Sequence, residues 1–296
     1  MTASIITGVV PILITPFDSQ DRIDIDSLQN LIDFNINSGV HGIGIANGSE
    51  IFKLSESERK LVTKIVVEHV AGRVPVIINT GAHGTNLAIQ YSKLAQEQGA
   101  DGLMIIPPHF IPVGPKQVAE YYEAIDSQIT IPIFLQDIPQ SPISPSLALE
   151  LANKCQNISY IKVETSPSAM KVFQMVEATK EVLTIFGGAG GSYFIEEMLR
   201  GAKGTMPFCS QPKEFVEVWN LFQKGDEEEA IKVFKKYIVP MNRLEIQSND
   251  LFYHLHKQFL VKLGVIKTPN VRGPTMLPDP ISQSEIDKMI ELMSNK

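Results

Sequence analysis

The run Tyr160-Ile161-Lys162-Val163-Glu164-Thr165 sets an amine and a carboxylate two residues apart inside what otherwise reads as a buried strand. Residues i and i+2 of a strand point to the same side, so Lys162 and Glu164 share a face. Turned into an enclosed space, the lysine loses hydration, which favours its neutral, nucleophilic form, while the neighbouring carboxylate pulls the other way. A neutral amine attacks a ketone. On a 2-oxo acid the product is an imine whose nitrogen acts as an electron sink, and a carboxylate beside it can remove or return the proton on the adjacent carbon. The same spacing also suits a structural ion pair, or a place on the exposed side near the strand end.

Other groups could join that pair. The loop "ANGSE" (46–50) offers Asn47, Gly48 and Ser49, whose backbone N–H groups and hydroxyl can be directed toward an anion. Asn-Gly is equally a common turn pair, and Glu50 fits a role in holding the loop. "FGGAGG" (186–191) follows a strand, and Gly188 lets a ligand approach the backbone. It lacks the G-x-G-x-x-G spacing and the lysine of a P-loop, which argues against dinucleotides and ATP, and no cofactor is expected. His41, His83 and His109 fall at different strand ends without ligand-type spacing, so no metal site is expected, and His109 alone is an acid/base candidate. The two cysteines, Cys155 and Cys209, lie far apart. They supply neither a disulfide framework nor a thiolate zinc site, and a reducing compartment suits them.

These residues need elements to hold them. Short, β-branched apolar runs recur at 8–17, 42–48, 74–80, 102–108, 131–137, 158–164, 182–188 and 204–208. Their near-continuous hydrophobicity is that of strands buried on both faces of a parallel sheet. Amphipathic segments such as Ser55–Val70 and Ser144–Lys154 lie between them, opening on capping residues. Gly39-Val40-His41-Gly42, Gly99-Ala100-Asp101-Gly102 and Gly201-Ala202-Lys203-Gly204 repeat one helix-to-strand passage. The expected fold class is α/β, a (β/α)8 TIM barrel over residues 1–223, with residues 224–296 as a C-terminal helical extension packed on it. Three helical stretches are read near the end, 215–223, 226–243 and 250–263. In such a barrel, function gathers at the carboxyl ends of the strands, which is where Asn47, His109, Gln136, Lys162, Glu164 and Gly188 fall.

With 296 residues, a net charge of −7 and scattered lysines and arginines, neither nucleic acid nor an anionic membrane is expected as partner. A small molecule is. The leading segment "MTASIITGVVPILITPF" lacks a basic start and contains Pro11 and Pro16, so it reads as a strand entering the fold, and no apolar run reaches the roughly 18 residues of a membrane helix. A cytoplasmic location is expected.

Taken together, "GVVPILITPF", "ANGSE" with "LSESER" (54–59), "GRVPVIINTG", "AQEQGADGLMIIPP", "IPIFLQDIP", "YIKVE" and "FGGAGG" resemble the dihydrodipicolinate synthase and N-acetylneuraminate lyase family of Schiff-base barrels over nearly the whole chain. The resemblance implies that Lys162 forms the imine with a 2-oxo acid, that the loop at Asn47 to Ser49 holds its carboxylate, and that the enzyme is a homodimer or homotetramer. The chain departs from the synthases and sialic acid lyases at three points. Gln136 stands where they usually carry a tyrosine, Gly48 where a hydroxyl residue is common, and Phe110 near an aromatic hydroxyl. A glutamine amide orients a group but is no acid near neutral pH. The combination of A-N-x-S-E-x-F-x-L-x-x-x-E-R (46–59), Q-D-x-P (136–139) and K-x-E (162–164) looks more like the 2-keto-3-deoxy-L-arabonate dehydratase branch, which implies dehydration with Glu164 as proton carrier and Gln136 as a polar clamp. "FGGAGG" and "PPHF" (107–110) depart from that branch. A synthase or aldolase using pyruvate, and an inactive 2-oxo acid binder, are the alternatives.

Overall fold

The computed structural model describes residues 5–180, 182–248 and 250–294. Its parallel strands are β1 (Gly8–Val9), β2 (Ile43–Ile45), β3 (Val76–Asn79), β4 (Gly102–Ile105), β5 (Ile133–Asp137), β6 (Ile158–Val163), β7 (Thr184–Gly187) and β8 (Gly204–Thr205). They stand in the order β1-β8-β7-β6-β5-β4-β3-β2. Backbone bonds just past β1 join the two ends of that order: Leu13 N donates to Gly44 O and Gly44 N to Pro11 O, both at 2.9 Å. The (β/α)8 barrel read from the sequence is therefore the fold.

Helices α1 (Ile25–Asn37), α2 (Glu56–Val70), α3 (Thr85–Glu97), α4 (Pro115–Asp126), α5 (Pro145–Lys154), α6 (Ser168–Thr179), α7 (Phe194–Met198) and α8 (Pro212–Gln223) alternate with the strands. Ser55 caps α2 through the Glu58 amide, with Glu58 reaching back to the Ser55 amide, and Ser144 caps α5. Gly39, Gly99 and Gly201, at the helix-to-strand passages, have φ of 85°, 94° and 96°. A side chain there would be strained, which is why the motif recurs.

Alternation along each strand divides the core. Outward residues pack on the helices, and inward ones, among them Val10, Ile77, Met104, Phe134, Tyr160 and Phe186, fill the lumen. Phe134 stacks on Tyr160 with ring centroids 4.1 Å apart, and the Tyr160 hydroxyl accepts from the Ile6 amide at 3.0 Å. This aromatic layer closes the lumen below the site. Two residues on, the same alternation brings Gln136 above Phe134 and Lys162 above Tyr160.

One acid is trapped in the outer layer. Glu197 of α7 presses on Gly187, where an added Cβ would lie 1.7 Å from its Oε2. Its Oε1 accepts from Ser168 at 3.1 Å, while Oε2 is buried without a partner among the described residues. Burial pushes the carboxyl up to about 7, with Ser168 pulling back. A raised folded value means that stability is intact below the unfolded value near 4.5 and falls as pH rises through about 7. Glu197→Gln is expected to remove about 3 kcal/mol of that pH dependence. Urea midpoints of both proteins at pH 5 and pH 8 check this, and parallel pH responses would refute it.

After α8 come α9 (Glu227–Val233), a π turn (Phe234–Ile238), α10 (Val239–Glu245), α11 (Leu251–Lys262) and α12 (Pro280–Ser294). The last has no counterpart among the stretches read from the sequence, where Pro278 and Pro280 look like breaks although proline at a first helical position favours a start. Met241, Leu255, Phe259, Ile286 and Ile290 give these helices a small core of their own. No helix among the described residues is long and apolar enough to cross a membrane.

Candidate active site

Lys162 is 5% exposed, and its Nζ lies 2.9 Å from Glu164 Oε1. The β5–β6 register sets Gln136 beside Lys162, and Gln136 Nε2 donates to Glu164 Oε2 at 2.8 Å. Asn79, at the end of β3, donates to Gln136 Oε1 at 3.2 Å and fixes which end of the amide faces Glu164. A third donor reaches Glu164 from the glycine-rich loop, where Ala189 N lies 3.3 Å from Oε1. Burial, the largest influence on Glu164, opposes ionisation, but the charge of Lys162 and these donors outweigh it and hold the carboxyl below the ordinary range. Lys162 and Glu164 thus meet as an ion pair on one face of β6.

The pleat divides the neighbouring polar residues. Asp137 follows Gln136 but points outward, where it binds Lys171 at 2.6 Å and accepts from the Ile143 and Thr165 amides at 2.8 and 3.0 Å. It holds the loops after β5 and β6.

A cleft of about 880 Å³ opens at the carboxyl ends of the strands, lined by Asn47, Gly48, His109, Gln136, Lys162 and Glu164. The amides of Asn47 and Gly48 have no acceptor among the described residues. Ser49 does not join them. Its hydroxyl donates to Leu13 O and accepts from Ala46 N at 3.1 Å, so it shapes the loop from behind instead of meeting a ligand. Gly188 likewise departs from expectation, because the room left by its missing Cβ is filled by Glu164, whose Cγ would sit 2.4 Å from such an atom. The close approach seen there is that of a protein side chain. His109 lies against His83 with ring centroids 4.6 Å apart and planes inclined by 60°, its Nδ1 3.2 Å from Pro107 O. Among the described residues no group of His, Cys, Asp and Glu converges as metal ligands would.

The C-terminal helices complete the site, a contribution that no local sequence signal marked. Tyr253 of α11 lines the cleft and donates to Asn47 O at 3.2 Å. Glu50, fully buried and with φ of 56°, pairs with Lys257 and, at 3.3 Å, with Lys53. Lys257 also donates to Asn270 O at 2.8 Å, and burial pulls its ammonium down to about 8 against the charge of Glu50. The "ANGSE" loop is therefore tied to the far end of the chain. Removing one member of a buried pair strands the other charge, so Lys257→Met is expected to cost about 3 kcal/mol, with Glu50→Gln added to it restoring part. Urea unfolding of both variants measures this, and a loss below about 1 kcal/mol would show that the pair matters little.

The protein is thus a parallel barrel whose sixth strand sets a lysine against a carboxylate at the cleft. The Dihydrodipicolinate synthetase family model matches residues 5–295, and the chain belongs to that family. Membership makes it a lyase. It is 28% identical over 286 residues to the L-2-keto-3-deoxyarabonate dehydratase of Azospirillum brasilense, covering 94% of this chain and 92% of that one. It is 31% identical over 250 residues to the 4-hydroxy-tetrahydrodipicolinate synthase of Methanocaldococcus jannaschii, covering 82% and 85%. A crystal structure of a dihydrodipicolinate synthase superposes with a TM-score of 0.90 at 28% identity, covering 97% of this chain and 99% of that one.

Proposed function

We propose that the protein is a Schiff-base lyase that dehydrates a 2-keto-3-deoxy sugar acid. The observation that carries this reading is the 2.9 Å contact of the buried Lys162 with Glu164 at the cleft. The substrate carboxylate meets the free amides of Asn47 and Gly48. Lys162, relieved of a proton by Glu164, adds to C2; Glu164 returns that proton to the carbinolamine hydroxyl, which leaves as water, and the resulting imine acidifies C3. Glu164 then takes the C3 proton and the C4 hydroxyl departs. Gln136 holds Glu164 in place throughout, and hydrolysis of the imine frees Lys162.

The likeness to the A. brasilense dehydratase supports elimination. So does the amide of Gln136, which cannot pass a proton to an aldehyde as a phenol does. A pyruvate-consuming synthase is the second reading, favoured by the M. jannaschii relative. A homodimer or homotetramer fits the exposed apolar loop after β4, where Phe110 and Ile111 are 80% and 74% exposed.

Incubation with pyruvate and borohydride, followed by intact mass and peptide mapping, is expected to place a reduced adduct on Lys162. Its absence with every 2-oxo acid would leave only a binding protein. A thiobarbituric acid assay for consumption of keto-deoxy acids then separates dehydration or cleavage, which consume them alone, from synthesis, which needs pyruvate and an aldehyde.

A further inference from the structure

A second carboxyl enters the cleft from the C-terminal helices. Glu245 ends α10, and its Oε2 lies 2.7 Å from His256 Nε2 on α11. His256 Nδ1 is 2.6 Å from Ser210 Oγ in the loop after β8. All three residues are buried, and Phe208 and Phe252 flank the imidazole with centroids at 4.6 and 5.7 Å. The other oxygen, Glu245 Oε1, takes no hydrogen bond from the described residues, yet it is not among the sealed, unpartnered atoms, and Glu245 lines the cleft. That oxygen faces the ligand space.

The glycine-rich loop places the two acids relative to each other. Glu164 Oε1 would lie 2.9 Å from a Cβ on Gly188, and Glu245 Oε1 would lie 2.6 Å from one on Gly190. Those glycines are two residues apart, so the surfaces on which the carboxyls rest are within about 7.6 Å along the chain. A small substrate spans that distance.

We infer that Glu245 is the acid that protonates the departing hydroxyl of a substrate bound as an imine to Lys162, with His256 and Ser210 as its positioning residues. This rests on the dehydratase reading and supplies what that reading lacks. Hydroxide is a poor leaving group, Gln136 has no proton to give, and Glu164 is taking one up. In the step, Glu164 removes the C3 proton and the C3–H electron pair becomes the C3=C4 bond. The C4–O bond breaks, its oxygen takes the proton from Glu245 Oε1, and water leaves. Glu245 remains as a carboxylate that accepts Nε2–H of His256, whose Nδ1 accepts the Ser210 hydroxyl, and solvent restores the proton.

The electrostatics agree. Burial raises the Glu245 carboxyl, with His256 pulling back, whereas Glu164 is held low. Two carboxyls pushed apart in one cleft divide into acid and base.

The experiment compares turnover of a 2-keto-3-deoxypentonate, as both C4 epimers, with that of its 4-deoxy-4-fluoro analogue, whose fluoride leaves with far less need of a proton. Glu245→Gln is expected to lower hydroxyl elimination on the order of 100-fold, to change fluoride elimination by less than about threefold, and to leave pyruvate trapping at Lys162 intact. Equal losses on both substrates, or no loss, overturn the acid role, as does a selective loss in His109→Gln instead. If Glu245→Gln fails to trap pyruvate, and so is misfolded, His256→Gln is read on the same pair of substrates: a selective loss of about 10-fold supports the relay and an equal loss overturns it. Failure of the unaltered protein to trap pyruvate, or to turn over either substrate, overturns the parent reading and this one with it.

Discussion

Lys162→Met is expected to abolish adduct formation with pyruvate and borohydride and to lower turnover on the order of 10⁴-fold or more, because the covalent route disappears and no other amine replaces it. At about 1.36 kcal/mol per decade this is a loss of about 5.4 kcal/mol of transition-state stabilisation. Other cationic side chains near the loop are already committed: Lys53 and Lys257 to Glu50, Arg272 to Glu58. Methionine also leaves the half-buried Glu164 without its ion pair, so folding must be read separately. Near-ultraviolet circular dichroism and an unchanged urea slope serve for that. A folded variant that still turns over keto-deoxy acids within tenfold of the parent would remove Lys162 from the chemistry.

Glu164→Gln separates the catalytic reading from the structural one. The amide is nearly isosteric, keeps one acceptor oxygen for either Gln136 Nε2 or the Ala189 amide, and cannot take a proton. If Glu164 carries the C3 proton, turnover falls by about 10³-fold while the imine with pyruvate is still trapped, more slowly. If the pair only braces the strand ends, trapping and turnover stay within tenfold and the effect appears in stability. The pH response has a definite sign. A carboxylate held below its ordinary value gives stability that is present above about 4.5 and lost as pH falls through the lower folded value. Glu164→Gln should flatten that acid limb. Exchange of the C3 hydrogens of trapped or free pyruvate with deuterated solvent follows the proton transfer directly.

Much of this was legible without coordinates, and for a local reason. Alternation within a strand depends only on neighbours, so Lys162 with Glu164, and Gln136 apart from Asp137, follow from the residues themselves. The helix caps at Ser55 and Ser144 and the left-handed glycines before three strands are equally local. Less was legible in the glycine-rich loop. Its sequence announces a close approach, but not that Glu164 and Glu245 are what approach it. Ser49 shows the same limit, since its position in the loop was readable while the direction of its hydroxyl was settled by Leu13 O, 36 residues away in sequence.

The sequence by itself determined the barrel, the strand that offers the amine, and the acid on its face, because strand alternation and strand-helix spacing are written in neighbouring residues. Tertiary structure alone decided that Glu50 is locked by Lys257 and that Glu245, bonded to His256 and through it to Ser210, lines the cleft. The first of those contacts joins residues 207 apart. Partners so far apart meet only when the last helices dock on the barrel, and no periodicity along the chain encodes which side chain the docking will bring to which.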